Sequence, residues 1–488
     1  MYIVMIASEC APVSKVGGLA DVVYGLSREL EIRGNEVEII LPKYDCMRYD
    51  HIWDLNVAYQ DLLVPWDDGA IHCTVWFGSV QGRKCFFIEP HSNNNFFHRE
   101  RYYGFPDDAM RFAFFSKASL EFLLKSNRHP NIIHCHDWQT GLVPVLLYEI
   151  YQHQGMHHSR VCYTIHNFRY QGITGIDILS ATKLDRAEYY HHPDRLKDNT
   201  HPSALNFMKG GIVYSNFVTT VSPKHAGEAR HTDQGYGLND TLHKHQNKFC
   251  GVLNGLDYEV WNPEIDPLIP YHYTAVTLDN KYGNKSALRD RLLLRQAFKP
   301  IIAYVGRLDV QKGVHLIRHG IFYALQNEAQ FVLLGSSPEA SINNDFWQLK
   351  HELNDNEDCH LEIGFNEELA HLIYAGADMI IMPSMYEPCG LTQLIALRYG
   401  TVPIVRSVGG LVDTIFDRDN SSKPLTARNG YVFDEADYTA IETVMHRAIS
   451  LWYAYPDQFR KLIRQGMQYN YSWHRSGQHY LDIYEHIQ

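Results

Sequence analysis

Two cations stand five residues apart in Gly306-Arg307-Leu-Asp-Val-Gln-Lys312-Gly313, between a short apolar run and a stretch with helical periodicity. On a strand-to-helix loop such a pair can converge on one diphosphate, the guanidinium in bidentate fashion. Two solvated charges are the plainer reading. Glu387-Pro-Cys389-Gly390-Leu391-Thr392 has the same placement. There the amides of Gly390 to Thr392 suit a phosphate and the Glu387 carboxylate can accept hydrogen bonds from sugar hydroxyls, although Glu387 could equally be a helix cap. A third stretch, Lys15-Val-Gly17-Gly18-Leu-Ala-Asp21, places two glycines beside a lysine. Glycine lets backbone approach a ligand, and the free N–H groups of a following helix favour an anion. A tight packing turn explains the two glycines equally well.

Asp137 lies just past a strand, and His166 and Asn167 hold the equivalent place after the next one. His134 and His136 would share one strand face, but no second ligand pair has recognisable spacing, so no metal site is expected. Phosphate binders without a Ser/His/Asp set or paired carboxylates point to group transfer from a nucleotide rather than hydrolysis.

These loops need strands and helices to hold them. Apolar runs at residues 2–7, 37–41, 131–135, 161–165 and 217–221 read as buried parallel strands. Leu19, Val22, Val23, Leu26 and Leu30 recur at helical spacing, with Gly34 where a terminating glycine belongs. A helix is also predicted from Gln139 to Tyr151. Residues 45–108 are less regular and predict a β-ribbon and a long loop. Near Asn254 the texture changes, with Pro263, Pro267 and Pro270 close together, as at a domain connection. A second strand series follows at 301–305, 331–334, 360–363, 379–382 and 402–405, with a helix near 314–327. Alternation of this kind predicts an α/β fold of two doubly wound domains. Val408-Gly-Gly-Leu-Val-Asp echoes Val16-Gly-Gly-Leu-Ala-Asp, a weak sign that both sheets end at one site.

The 488 residues exceed one ordinary core. A net charge of −12 argues against nucleic acid or an anionic membrane as the partner. With 32 Tyr, 22 Phe and 8 Trp the chain is aromatic-rich, which core packing explains as well as sugar stacking. The nine cysteines form no Cys-x-x-Cys pair, so reduced thiols are expected. No run approaches the ~18 apolar residues of a membrane helix. The first residues enter a strand without a basic leader, so a cytoplasmic setting is expected, or a plastid stroma if a transit peptide was removed.

Together these motifs, with His136-Asp-Trp138, Tyr163-Thr-Ile-His-Asn167, Thr219-Thr-Val-Ser-Pro223 and Asn254-Gly-Leu-Asp257, resemble the bacterial and plant starch/glycogen synthases, glycosyltransferase family five. The middle segments Asn167-Phe-Arg-Tyr-Gln-Gly172 and Asn206-Phe-Met-Lys-Gly210 look most like the cyanobacterial branch. The resemblance implies a GT-B fold of two Rossmann-like domains facing across a deep cleft, at 1–255 and 256–470. Residues 471–488 would cross back to the first domain, the acceptor-glucan side. It also implies glucose transfer from ADP-glucose to the non-reducing end of an α-1,4-glucan, with retention and without metal or other cofactor; UDP-glucose is the alternative donor. Arg307 and Lys312 would neutralise the departing diphosphate with Lys15 assisting, and the donor site would include Gly17, Gly18, Asp21, Cys389, Gly390, Leu391 and Thr392. His166 would stabilise the oxocarbenium-like centre, Asp137 would support the sugar site, Glu387 and Asn254 would hold glucose hydroxyls, and Phe365 would flank the base. Ile395 stands where the wider superfamily often has a second glutamate. A catalytically weak glucan-binding or initiating protein of the same fold is the rival reading. It predicts losses at Arg307, Lys312 or Glu387, and all three are present.

Overall fold

The computed structural model describes residues 1–353 and 355–488. Its backbone contacts divide into two units, Met1–Gly255 with Trp473–Gln488, and Leu256–Ser472.

The first unit is built on one sheet. Its strands are β1 (Tyr2–Ile6), β2 (Glu36–Pro42), β3 (Trp53–Trp66), β4 (Gly69–Val80), β5 (Arg83–His91), β6 (Ile132–His136) and β7 (Arg160–Ile165). A two-stranded pair, β8 (Ile173–Thr174) and β9 (Leu205–Asn206), stands apart from the sheet, which β10 (Phe217–Thr220) and β11 (Phe249–Gly251) complete. The order is β11-β10-β7-β6-β1-β2-β5-β4-β3. Every pairing is parallel except those of β4, which forms the expected ribbon with β3 and returns along β5. From β1 the chain winds one way through β2 and the other way through β6. The switch point between β1 and β6 is where such sheets receive ligands, at the carboxyl ends of the strands.

The helix Gly18–Ile32 buries the periodic face that its sequence predicts and ends at Gly34, whose φ of 86° closes the turn. The helix Trp473–Ile487 packs against it. Gly25 is required for that approach, because a Cβ there would lie 2.0 Å from the Trp473 ring nitrogen. The predicted helix 139–151 is instead broken into a short 3-10 turn, a helix Leu142–Glu149 and a second 3-10 turn. Gly141, between the first turn and the helix, lies against the Phe207 carbonyl, where a Cβ would come within 2.3 Å.

The second unit holds β12 (Ile301–Arg307), β13 (Gln330–Ser336), β14 (Cys359–Ile363), β15 (Met379–Met382), β16 (Val402–Arg406) and β17 (Tyr431–Phe433). They are all parallel, in the order β14-β13-β12-β15-β16-β17. The switch point here lies between β12 and β15. Tyr471, expected in the returning segment, is instead buried in this unit's core, and its carbonyl accepts the Leu256 N–H at 2.7 Å.

Candidate active site

Each switch point gathers one cluster of the residues singled out by sequence. In the second unit β12 runs into Arg307, and β15 into the segment from Pro383 to Thr392. Asp309 accepts the Lys312 N–H at 3.0 Å, and Gly313 closes this turn with a φ of 74°. A side chain at Gly313 would meet the Pro383 carbonyl at 2.2 Å, so the two loops lie in contact. The Met385 N–H donates to the Gln311 carbonyl at 2.7 Å and ties them together. Across this junction Lys312 Nζ sits 2.6 Å from Glu387 Oε2, and Ser384 Oγ donates to the same oxygen at 2.9 Å. Glu387 is buried. A buried carboxylate without partners would be costly, and a charge-assisted bond with a second donor offsets that cost. The cation and the carboxylate, singled out separately, are one ion pair.

Arg307 differs. Its side chain is 60% exposed, 3.8 Å from Asp309, and such a surface contact is worth little. It remains free to turn toward an anion. Phe365, after Gly364 at the end of β14, is 92% exposed, an aromatic face with no packing role.

The echoed glycine pairs serve different ends. A Cβ at Gly409 or Gly410 would come within 1.9 Å of the Glu387 carbonyl or 2.2 Å of the Cys389 carbonyl, and Gly410 N–H donates to Glu387 O at 3.1 Å. That pair buttresses the Glu387 loop. At Gly17 and Gly18 a Cβ would meet nothing within 4 Å, and Gly17 has ordinary extended dihedrals. The packing-turn explanation therefore fits Val408–Leu411 and not Val16–Leu19.

In the first unit, Glu9 follows β1 and is buried. Its Oε2 accepts the N–H groups of Val16 at 2.8 Å and Gly17 at 3.2 Å, while Tyr103 OH donates to Oε1 at 2.6 Å. Those two amides are thus bound to a protein carboxylate, which fixes the turn from behind. Gly18 opens the helix on the exposed side. Lys15 is paired with Asp21 at 2.8 Å and is 51% exposed. Burial pushes the Glu9 carboxyl above the usual range, against the lowering influence of Tyr103 and the two amides. Neither Glu9 nor Tyr103 was legible in advance; a lone glutamate after a strand carries no spacing signal.

Asp137 ends β6 with φ 59° and ψ −175°, a region other residues leave to glycine and one that costs on the order of 1–3 kcal/mol. Its Oδ1 accepts the His166 N–H at 2.6 Å and the Asn167 N–H at 3.3 Å, joining the ends of β6 and β7. Burial raises its carboxyl to about 7 despite those bonds. His166 Nε2 is 3.0 Å from His136 Nδ1. The buried His136 Nε2 has no partner among the described residues, which is cheaper as a bare acceptor than as an unpaired N–H. His136 then donates from Nδ1, and His166 carries its proton on Nδ1. Burial lowers His166 to about 3, so it is a neutral imidazole at any working pH. His134 is engaged on both nitrogens, by Tyr484 OH at 2.7 Å and Thr164 Oγ1 at 2.6 Å, which leaves it no lone pair for a metal. Asn254, just beyond β11, has a buried side-chain oxygen without a partner among the described residues.

The Starch synthase catalytic domain family matches residues 2–244, and Glycosyl transferases group 1 matches residues 291–466. A glycogen synthase 1 of Synechococcus sp. (strain JA-3-3Ab) is 67% identical over all of this chain and 99% of its own length. The chain belongs to the glycogen and starch synthase family. A glycogen synthase 2 of Methylococcus capsulatus (strain ATCC 33009 / NCIMB 11132 / Bath) is 64% identical over 99% of both chains. The solved catalytic domain of starch synthase IV from Arabidopsis thaliana, bound to ADP and acarbose, is 43% identical with a TM-score of 0.96, covering 100% of this chain and 99% of that one. A sucrose-phosphate synthase from Thermosynechococcus elongatus, 17% identical with a TM-score of 0.60 over 100% of this chain and 98% of that one, shares the fold. The fold is GT-B, and the family's reaction is glucan elongation by glucosyl transfer.

Two outcomes are expected. Gly410→Ala should lower thermal stability by about 1–3 kcal/mol of overpacking, whereas Gly17→Ala should leave the melting temperature unchanged; equal losses would mean that both pairs are packing turns. Only the wild type must ionise a buried carboxyl at position 137, so its stability falls as pH rises from the ordinary carboxylate range to about 7. Chemical denaturation should therefore show Asp137→Asn gaining on the wild type from the ordinary carboxylate range up to about pH 7 and no further above it, and a parallel pair of pH profiles would refute the assignment.

Proposed function

We propose that the protein elongates α-1,4-glucan with ADP-glucose as donor, retaining configuration at the anomeric carbon and working without metal, in the cytoplasm. The observation that carries this reading is the Lys312–Glu387 pair on two adjoining loops, with Arg307 five residues before the lysine. The pair holds two opposite charges ready for two parts of one donor. When a nucleotide sugar enters, Lys312 turns to the diphosphate beside Arg307, and Glu387 accepts hydrogen bonds from glucose hydroxyls instead. Cations placed where the leaving diphosphate gains charge stabilise the transition state, usually the largest catalytic term. The amides of Gly390 to Thr392, beside Cys389, add to the phosphate cradle.

In the transfer the bond between the anomeric carbon and the diphosphate oxygen breaks. The acceptor's terminal hydroxyl oxygen bonds to that carbon on the same face and gives its proton to the departing phosphate. His166, neutral, offers a hydrogen bond rather than a charge near the developing cation. Asp137 keeps its backbone in place, and Asn254 offers a carbonyl to a sugar hydroxyl. Phe365 supplies a stacking face for adenine. Lys15, with the Gly17–Gly18 turn and Asp21, contributes to holding the donor.

The arrangement of Lys312, Arg307 and Glu387 supports catalysis over the rival glucan-binding reading. The starch synthase IV structure was solved with ADP, which supports an adenine nucleotide over a uridine one. The deciding experiment is labelled-glucose transfer from ADP-glucose and from UDP-glucose onto glycogen, with and without EDTA. Faster transfer from ADP-glucose, unchanged by EDTA, is expected; transfer from neither donor would leave the binding-protein reading in its place. Lys312→Ala and Glu387→Ala should each lower kcat by roughly 10²-fold or more while the protein stays folded. Wild-type turnover in either variant would remove its role.

A further inference from the structure

Glu387 has two side-chain partners, and the proposed reaction takes one of them away. Lys312 holds its Oε2 at 2.6 Å and turns to the diphosphate when a donor enters. The carboxylate is buried, so little water reaches it to replace the lysine. What stays is the Ser384 hydroxyl, which donates to the same oxygen at 2.9 Å. That hydroxyl must then orient the carboxylate toward the sugar, and it does so only if its own backbone is fixed.

The sheet supplies that fixture. Ser384 lies two residues past the end of β15 and is 1% exposed. Arg406 is the last residue of β16. Val405 pairs with Met382, and Arg406 pairs with Phe433 at the end of β17. The guanidinium therefore leaves the sheet between two neighbouring chains. Its Nη1 donates to the Ser384 carbonyl at 3.2 Å, and its Nε donates to the Asp434 carbonyl at 3.0 Å. Carbonyls past the last rung of a sheet lose their ladder partners and need other donors. One planar group serves two of them here. Both acceptors are neutral, so neither cancels the guanidinium charge. Ser384 thus faces a cation with its carbonyl and a carboxylate with its hydroxyl.

We propose that Arg406 and Ser384 are positioning residues for Glu387 in the donor-bound state. Arg406 fixes the Ser384 backbone, and the Ser384 hydroxyl orients the carboxylate once Lys312 has turned away. Before a donor enters, Lys312 holds Glu387 from the other loop, so the relay matters most during turnover. The proposal rests on the reading that Lys312 and Glu387 take separate parts of one nucleotide sugar.

Labelled-glucose transfer from ADP-glucose to glycogen by the full chain tests this in two backgrounds. Ser384→Ala and Arg406→Ala should each lower kcat roughly tenfold, the scale of one hydrogen bond to a charged group, and change the KM for ADP-glucose by no more than about twofold. Arg406→Lys should recover part of the loss, because an ammonium reaches the Ser384 carbonyl without also spanning to Asp434. In the Glu387→Ala background neither alanine substitution should lower the residual rate further, since a residue that acts through Glu387 has nothing left to hold. Equal fold losses in both backgrounds would overturn the proposal, for they would mean a separate donor contact or a general weakening of the loop. Wild-type turnover in Ser384→Ala would overturn it as well, and that small change keeps the test decisive if Arg406→Ala does not fold. A wild type that transfers glucose from neither ADP-glucose nor UDP-glucose would instead overturn the donor reading, and the proposal with it.

Discussion

The ion pair of Lys312 and Glu387 ties together two loops at the switch point of the second unit. A carboxylate buried at the end of a parallel sheet must be bonded, and here its partners are a lysine from one loop and a serine from its own. Much of the surrounding detail serves to bring those atoms together. Asp309 caps the lysine's turn, Gly313 admits the Pro383 carbonyl, and Gly409 and Gly410 let a third loop close on the Glu387 backbone. Without Lys312 the buried Glu387 would keep only the Ser384 hydroxyl as a partner, whereas the half-buried lysine could turn to water.

The first unit solves a different problem. Burial keeps two of its histidines neutral, with His166 and His134 lowered to about 3, and raises the Asp137 carboxyl to about 7. Burial does this, and the consequence is rigidity. The strained Asp137 backbone is held by two amides from the end of β7, and the exposed Val16–Gly18 turn by Glu9 from the end of β1. Carboxylates here act as staples for backbone, a role that leaves the neighbouring turn fixed yet open.

Much of this was legible in the residues. The two strand series are written as apolar runs, the first helix as a 3.6-residue pattern with its glycine stop, and the β-ribbon as an irregular stretch between them. Elsewhere the reading failed. The helix expected across 139–151 is divided into two 3-10 turns and a helix Leu142–Glu149. The two Val-Gly-Gly-Leu segments look alike in sequence, yet the glycines of one pack on the Glu387 loop while a side chain at either glycine of the other would meet nothing within 4 Å.

The order of residue types along the chain determined the two parallel-sheet units, the loops that carry cations and carboxylates, and the family. Periodicity and local spacing are properties of neighbours in sequence, so they survive in a linear reading. Tertiary structure alone decided that Lys312 neutralises Glu387 across 75 positions, that Glu9 occupies the amides of the glycine turn, and that Tyr484 holds His134 from 350 residues away. Those bonds depend on which strand ends lie side by side, and strand order is set by the packing of the whole sheet rather than by any segment of it.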